Sequence, residues 1–238
     1  MAIYATTDLH GRFDLYEKMK ELLKPEDIVY FLGDAGDRGP DGWKLIKAIY
    51  DDDQFIYLKG NHEDMLVDAA REYLRNPDCE SDEYYRLKRN GGAKTLEAWW
   101  LDGADEKWVK KLDALPLTAE YKNKDGIYIL MSHAGYTPWS DPDDPKAVLI
   151  PSDFELLWNR DHFYDDEYDE WLENCIVLHG HTSIPSLADK LCDHREDIPR
   201  GAYWYDERRK CCIDNLSAAS DVACLLNLDT FEEILVEA

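Results

Sequence analysis

An α/β fold is what this sequence predicts, on two observations. Its first 75 residues alternate short, β-branched runs with apolar residues at helical spacing, the pattern of parallel strands joined by crossover helices. Polar and acidic residues sit just after each of those runs, at the edge where open α/β sheets hold their ligands.

Taken in order, Ile3 to Thr7 reads as a strand ending at Asp8. Leu15, Met19, Leu22 and Leu23 keep helical spacing until Pro25 interrupts, and Ile28 to Leu32 is a second strand ending at Gly33-Asp34. Trp43, Leu45, Ile46 and Ile49 mark a second helix, Phe55 to Leu58 a third strand, and about Asp64 to Leu74 a third helix. Residues 80 to 114 read as mostly helical, broken at Gly91-Gly92. Leu117 to Tyr121 and Ile127 to Met131 flank Asn123-Lys124-Asp125-Gly126, a hairpin signal. A long loop carrying Pro138, Pro142 and Pro145 is expected next. Then come strands at Ile176 to Leu178, Ala202 to Tyr205 and Ala223 to Leu228, so the second half reads as mixed or antiparallel sheet.

The 238 residues carry 27 Lys+Arg against 51 Asp+Glu, a net charge of −24. Such a surface repels phosphate backbones, which excludes a bare nucleic-acid binder. An apolar content of 45% excludes disorder. Asp51 to Asp53, Asp141 to Asp144 and Asp165 to Glu170 read as solvated faces. No stretch is long and apolar enough to span a bilayer, and no signal peptide is visible. The six cysteines form no Cys-x-x-Cys pair, so a zinc site or disulfide framework is not expected and a cytoplasmic location is.

Five stations follow the strands: Asp8-Leu9-His10-Gly11, Gly33-Asp34-Ala35-Gly36-Asp37-Arg38-Gly39, Gly60-Asn61-His62-Glu63-Asp64, Ser132-His133-Ala134-Gly135 and Gly180-His181-Thr182. Asp-x-His alone is a weak signal, most often a solvated turn; the second station is strong. His162, His179 and His194 lie outside the stations and read as ordinary surface or packed histidines. Carboxylate, imidazole and amide oxygen without thiolate suit hard-to-borderline divalent ions. One carboxylate bridging two ions about 3.5–4 Å apart lets both act on one phosphoryl group. An Arg on the same loop suits bidentate binding of phosphate oxygens.

On these motifs the chain resembles the calcineurin-like metallophosphoesterases. Within that superfamily it resembles the phosphoprotein phosphatase family and its short bacterial and phage-type serine/threonine protein phosphatases. The second and third stations match that family's Gly-Asp-x-x-Asp-Arg-Gly and Gly-Asn-His-Glu. The resemblance covers Asp8 to about Leu228. It implies a single metallophosphatase domain over 1–238, with a helical insertion at about 75–114. The implied architecture is a four-layer α/β/β/α sandwich with a bimetal site at the strand carboxyl ends. It implies Asp8 and His10 on the first metal, Asp34 bridging, and Asn61, His133 and His181 on the second. His62 would be the general acid, oriented by Asp37, and Arg38 would hold phosphate. Leu157-Trp158-Asn159-Arg160 resembles the family's Trp-x-Arg element, making Arg160 a second clamp; the plainer reading is a surface arginine balancing the acidic 161–170 run. The cofactors implied are two divalent ions, manganese first and iron or zinc as the alternative.

The activity so implied is phosphoric monoester hydrolysis by direct attack of a metal-bridging hydroxide, on phosphoserine or phosphothreonine of a phosphoprotein or on a small phosphoester. The alternative is a symmetrical diadenosine tetraphosphatase. Those enzymes typically carry Ala at the place of Asp37 and Asp at that of Glu63, so this sequence favours the protein-phosphatase branch. A catalytically silent scaffold would have lost ligands, and none is lost. Three departures stand out: Thr7 replaces the Gly usual before the first Asp, Gly36 replaces a larger apolar residue, and Asn215 to Asp221 lacks the usual glycine-rich turn.

Overall fold

A computed structural model describes residues 1–77, 81–136, 139–141, 144–149, 151–160, 175–193 and 198–238. Strands β1 (Ile3–Thr6), β2 (Ile28–Phe31) and β3 (Phe55–Tyr57) run parallel, crossed over by α1 (Phe13–Leu22) and α2 (Gly42–Tyr50). β11 (Val222–Asn227) adds to β1 antiparallel and β12 (Glu233–Glu237) to β11, so the order is β12-β11-β1-β2-β3. A second sheet has the order β4-β5-β8-β10-β9, from Thr118–Lys122, Tyr128–Ser132, Cys175–His179, Lys210–Cys212 and Tyr203–Tyr205. It is mixed: β5-β8 and β8-β10 are parallel, β4-β5 and β10-β9 antiparallel.

The layers follow from which faces are apolar. Ala5, Leu226 and Cys224 of the first sheet meet Ile129, Met131, Leu178 and Cys211 of the second, all buried, so the sheets pack face to face. The other face of the first sheet buries Val29 and Phe31 against Leu15, Met19, Trp43, Ile46 and Ile49 of α1 and α2 and Met65 and Leu66 of α3 (Asn61–Arg75). The outer face of the second sheet carries α8 (Ile184–Lys190), whose Ile184 and Leu187 pack on Tyr203 and Cys212. This is the expected α/β/β/α sandwich. Each buried Leu or Ile contributes about 1.5–3 kcal/mol relative to exposure.

Between β3 and β4 lie α3, α4 (Asp82–Arg89), α5 (Ala93–Leu101) and α6 (Glu106–Asp113), with the Gly91-Gly92 break between α4 and α5. The Asn123–Gly126 turn closes as expected: the Asn123 carboxamide oxygen accepts from the Asp125 and Ile127 amides, and Gly126 takes φ +88°. Two expectations fail. The proline-bearing segment holds an antiparallel pair, β6 (Trp139–Asp141) with β7 (Asp144–Leu149). Among the described residues β6 and β7 pair with each other alone, and Pro145, which has no N–H to give, is tolerated in such a two-stranded ribbon. And α3 starts at Asn61, not Asp64. Among the described residues no helix is long and apolar enough to cross a membrane. Cys79, Pro138, Pro142, His162, His194 and the Asp165–Glu170 run lie outside the described residues.

Candidate metal centre

Six of the predicted site residues have left-handed backbone: Asp8 (φ 52°), His10 (43°), Asp34 (61°), Asp37 (71°), Arg38 (57°) and His181 (63°). For residues with a Cβ, such conformations cost about 1–3 kcal/mol each and persist only where the surroundings fix them. Here the backbone pairing of β1 and β2 carries on past the strand ends. The amides of Asp8, His10 and Gly11 donate to the carbonyls of Gly33, Asp34 and Ala35 at 3.1, 3.0 and 2.7 Å. Gly33 has φ +99°, and a Cβ there would lie 2.5 Å from the Gly60 backbone, so the second and third stations meet only because both positions lack side chains.

Asp34 is the hub. Its Oδ1 accepts from the His62 amide at 3.0 Å, in the first turn of α3, where the helix N-terminus favours an anion. Its Oδ2 lies 3.4 Å from Nε2 of His133, 3.6 Å from Nε2 of His10 and 3.7 Å from Nε2 of His62. Burial works against the Asp34 charge, but His133 and His62 outweigh it and hold the carboxyl well below its ordinary range. His133 rises to about 9: burial opposes its charge, and Asp34 overcomes that.

The neighbouring groups are oriented as a cation site requires. His10 Nδ1 donates to the Gly36 carbonyl at 2.9 Å, which leaves the buried Nε2 as a bare lone pair with no protein partner. That Nε2 sits 3.7 Å from Asp8 Oδ1, and burial lowers the His10 pKa to about 3, so the ring is neutral. Asp8 Oδ2 is held by the Thr7 hydroxyl at 2.7 Å and the His181 amide at 3.0 Å, so the departure at Thr7 adds a donor to a ligand candidate. On the opposite side the Asn61 oxygen lies 2.8 Å from His133 Nε2 and 2.9 Å from His181 Nδ1, gathering three donor atoms. Two triads, His10/Asp34/His62 and Asp8/Asp34/His133, place their donor atoms within 4.8 Å of one another. The other five expected ligands thus gather around the Asp34 carboxylate, His10 and His133 directly and Asp8, Asn61 and His181 through them, and this thiolate-free set with its orphaned imidazole nitrogen fits hard-to-borderline divalent cations. The one difference is His62, expected as an acid, which also reaches Asp34.

His62 Nδ1 donates to Asp37 Oδ2 at 2.6 Å, and Arg38 Nη2 lies 3.1 Å from His62 Nε2. Burial disfavours the His62 charge, yet Asp34 and Asp37 prevail and raise its pKa. Asp37 is fixed from α5: its amide donates to Thr95 Oγ1 at 3.0 Å, and a Cβ at Gly92 would lie 2.6 Å from its carboxylate. The Gly91-Gly92 break is therefore what lets α4 and α5 approach the second station; the Gly91 carbonyl accepts from the Arg38 amide. Arg160 follows α7 (Asp153–Trp158), and its Nε donates to Thr182 Oγ1 at 3.0 Å. Partial burial, and after it the Arg38 charge, lower the Arg160 pKa. His179 lies apart, buried between the Gly180 carbonyl and the Tyr205 hydroxyl. In place of the glycine-rich turn, Leu216 (φ 57°) and Asp221 (φ 57°) bracket a short helix, and Arg12 ties Asp221 and the Ser217 carbonyl to the first station.

Glu63 is the residue whose part the motif alone did not show. Fully buried, it takes the amides of Asp34, Ala35 and Gly60 at 2.8, 3.0 and 2.9 Å, clamping the second station to the third. The available signal was its place three residues after Gly60, the spacing of a helix-capping glutamate. Glu63→Gln keeps one acceptor oxygen and turns an NH2 toward donors. A cost of about 1–3 kcal/mol is expected, which for a domain of this size lowers Tm by roughly 2–12 °C. An unchanged melting curve by calorimetry would mean the clamp is dispensable.

The profile of the calcineurin-like phosphoesterases matches residues 1–222. The symmetrical bis(5'-nucleosyl)-tetraphosphatase of Nitrosospira multiformis is 26% identical over 84% of this chain and 68% of its own length. That of Buchnera aphidicola is 30% identical over 63% of this chain and 50% of its own. The chain thus spans between half and about two thirds of these curated relatives. Among solved structures, a protein serine/threonine phosphatase from Saccharomyces cerevisiae with similarity to human phosphatase PP5 superposes with a TM-score of 0.62 at 17% identity. That match covers all of this chain and 80% of the other, a likeness of fold.

Proposed function

We propose, from the premise that this chain belongs to the calcineurin-like phosphoesterase family, that it hydrolyses dinucleoside polyphosphates with the help of divalent metal ions. Phosphoesterase chemistry rests above all on the buried Asp34 carboxylate ringed by the nitrogens of His10, His62 and His133. The choice of substrate rests on the curated relatives, which bear the name of the activity that Asp37 and Glu63 argued against. Symmetrical cleavage would break a P–O–P bond with water and release two nucleoside diphosphates.

Asp8, His10 and Asp34 would hold one ion, and Asp34, Asn61, His133 and His181 the other, manganese being the expected metal. Bound there, the ions would supply Lewis-acid charge to the phosphoryl group and its nucleophile. Arg38 and Arg160 bind the non-bridging oxygens and orient the chain of phosphates; they also offset locally the −24 net charge that repels a polyanion. Once Arg38 turns to phosphate, His62 Nε2, which accepts from that guanidinium here, is free to take up a proton from solvent and pass it to the leaving oxygen, while Asp37 holds Nδ1. Arg38→Ala and Arg160→Ala should each lower kcat/KM about 10- to 10³-fold on a common substrate. A silent Arg160→Ala beside a damaged Arg38→Ala would leave Arg160 as a surface residue.

A protein serine/threonine phosphatase is the second reading, favoured by the 2.6 Å Asp37–His62 pair. A protonating dyad serves an alkoxide leaving group more than a phosphate one. The deciding experiment is a panel of diadenosine tetraphosphate and phosphoserine and phosphothreonine peptides with purified, manganese-loaded protein. A higher kcat/KM on the dinucleotide supports the first reading; turnover of phosphopeptides alone overturns it.

A further inference from the structure

Beside the centre, α7 leaves a cavity of about 360 Å³ lined by Asp64, Arg86, Asp153, Phe154, Leu157 and Trp158. The mechanism uses none of these residues. Phe154 is 71% exposed, a large apolar ring left in solvent, whereas Phe13, Phe31, Phe55 and Phe231 are buried or partly buried. Phe154 and Trp158 are four residues apart and lie on one face of α7. The Trp158 ring meets the His181 ring edge-on at 5.9 Å, so one wall of the cavity abuts the metal centre, and Arg160 stands two residues further on. From α4, the Arg86 guanidinium, held at 3.0 Å by Asp68, lies 6.0 Å from the Trp158 ring centre.

We infer that this cavity is a nucleobase subsite, taking the base of the nucleoside diphosphate half that carries the phosphorus under attack. An exposed aromatic ring flanked by a second aromatic ring and a guanidinium offers a face to a flat π-system, and base stacking on such a platform is sequence-tolerant and strong. The polar groups at its edge fit the same ligand. Asp64 and Asp153 are carboxylates, able only to accept, and so match the amino and ring N–H groups of a base rather than another anion. The place fits as well: a ribose and the α-phosphate separate the base from the β-phosphorus that symmetrical cleavage attacks, and the clamp Arg160 stands two residues beyond the platform Trp158. The volume is that of a small-ligand pocket. This inference deepens the dinucleotide reading and rests on it for the identity of the occupant.

The test measures binding alone, by titration calorimetry of the manganese-loaded protein with adenosine 5'-monophosphate and with ribose 5-phosphate. The two differ by the base. The nucleotide should bind roughly 10- to 100-fold more tightly. Phe154→Ala, at an exposed position that the fold does not need, should erase about tenfold of that preference and leave ribose 5-phosphate unaffected. Equal affinities for the two ligands in the parent protein, or an equal loss on both in Phe154→Ala, would overturn the subsite even if diadenosine tetraphosphate is cleaved. A Phe154-dependent preference for the nucleotide would sustain it even if the tetraphosphate is not. If Phe154→Ala instead weakens only phosphopeptides with an aromatic neighbour to the phosphoresidue, the occupant is a peptide side chain and the nucleobase assignment is wrong.

Discussion

Asp34→Asn is expected to lower turnover by at least about a thousandfold, the scale of losing a central electrostatic group of a phosphoryl-transfer site. The substitution changes almost no volume. Its oxygen can keep the 3.0 Å bond from the His62 amide, so the fold should survive and circular dichroism should not change. What disappears is the charge at Oδ2, toward which three imidazole nitrogens point within 3.4 to 3.7 Å. An NH2 placed there donates where the carboxylate offered lone pairs, and it cannot bridge two cations. Bound metal, measured by mass spectrometry on the dialysed protein, should therefore fall together with activity. Exhaustive chelation of the parent protein should give the same loss, reversed by added manganese. A fully active Asp34→Asn protein, or turnover that survives chelation, would remove the two-metal reading.

How much of this could be read from the chain divides by the range of the interactions. The three parallel strands, their crossover helices and the Asn123–Gly126 turn were legible because apolar period and turn chemistry are local. The start of α3 was not, because Asn61 and His62 are poor helix formers; what fixes them is Glu63, whose carboxylate caps Gly60 and also binds Asp34 and Ala35, some 28 residues away. β12 was missed for a related reason, since its residues alternate weakly and gain their place by pairing with β11. The stations were legible as motifs because each needs its residues adjacent in sequence. Their mutual geometry was not: Thr95 supports Asp37 from 58 residues away, and the cavity beside Trp158 draws on α3, α4 and α7 together. The substrate was the least legible. Glu63 clamps two loops whatever the substrate, so its presence reports local architecture; Asp37, which holds His62, suits an alkoxide leaving group but does not exclude an anhydride. That is why the motif leaned to phosphoproteins while the curated relatives carry a dinucleotide activity.

The dyad itself decides how the leaving group matters. His62→Asn is expected to cut turnover about 10²- to 10⁴-fold on an alkyl phosphate, the usual worth of a positioned general acid. An alkoxide is a poor leaving group and needs its proton in the transition state; an aryl oxide needs little, and the phosphate released from an anhydride also needs little. Loss on an aryl phosphate, and on diadenosine tetraphosphate, should accordingly be much smaller, within about tenfold. Asp37→Asn should follow the same order of substrates. Its carboxylate, 2.6 Å from Nδ1, keeps the proton on that nitrogen and favours the charged ring, and the carboxamide can do only the first of these. Because one residue acts through the other, the double variant should be little worse than His62→Asn alone. His62 Nε2 also lies 3.7 Å from Asp34, so metal content must be measured in each variant: retained metal assigns the loss to proton transfer, whereas metal lost with activity makes His62 a ligand instead. Equal losses on alkyl and aryl substrates with metal retained, or losses that simply multiply in the double variant, would take the general-acid role from His62 and the supporting role from Asp37.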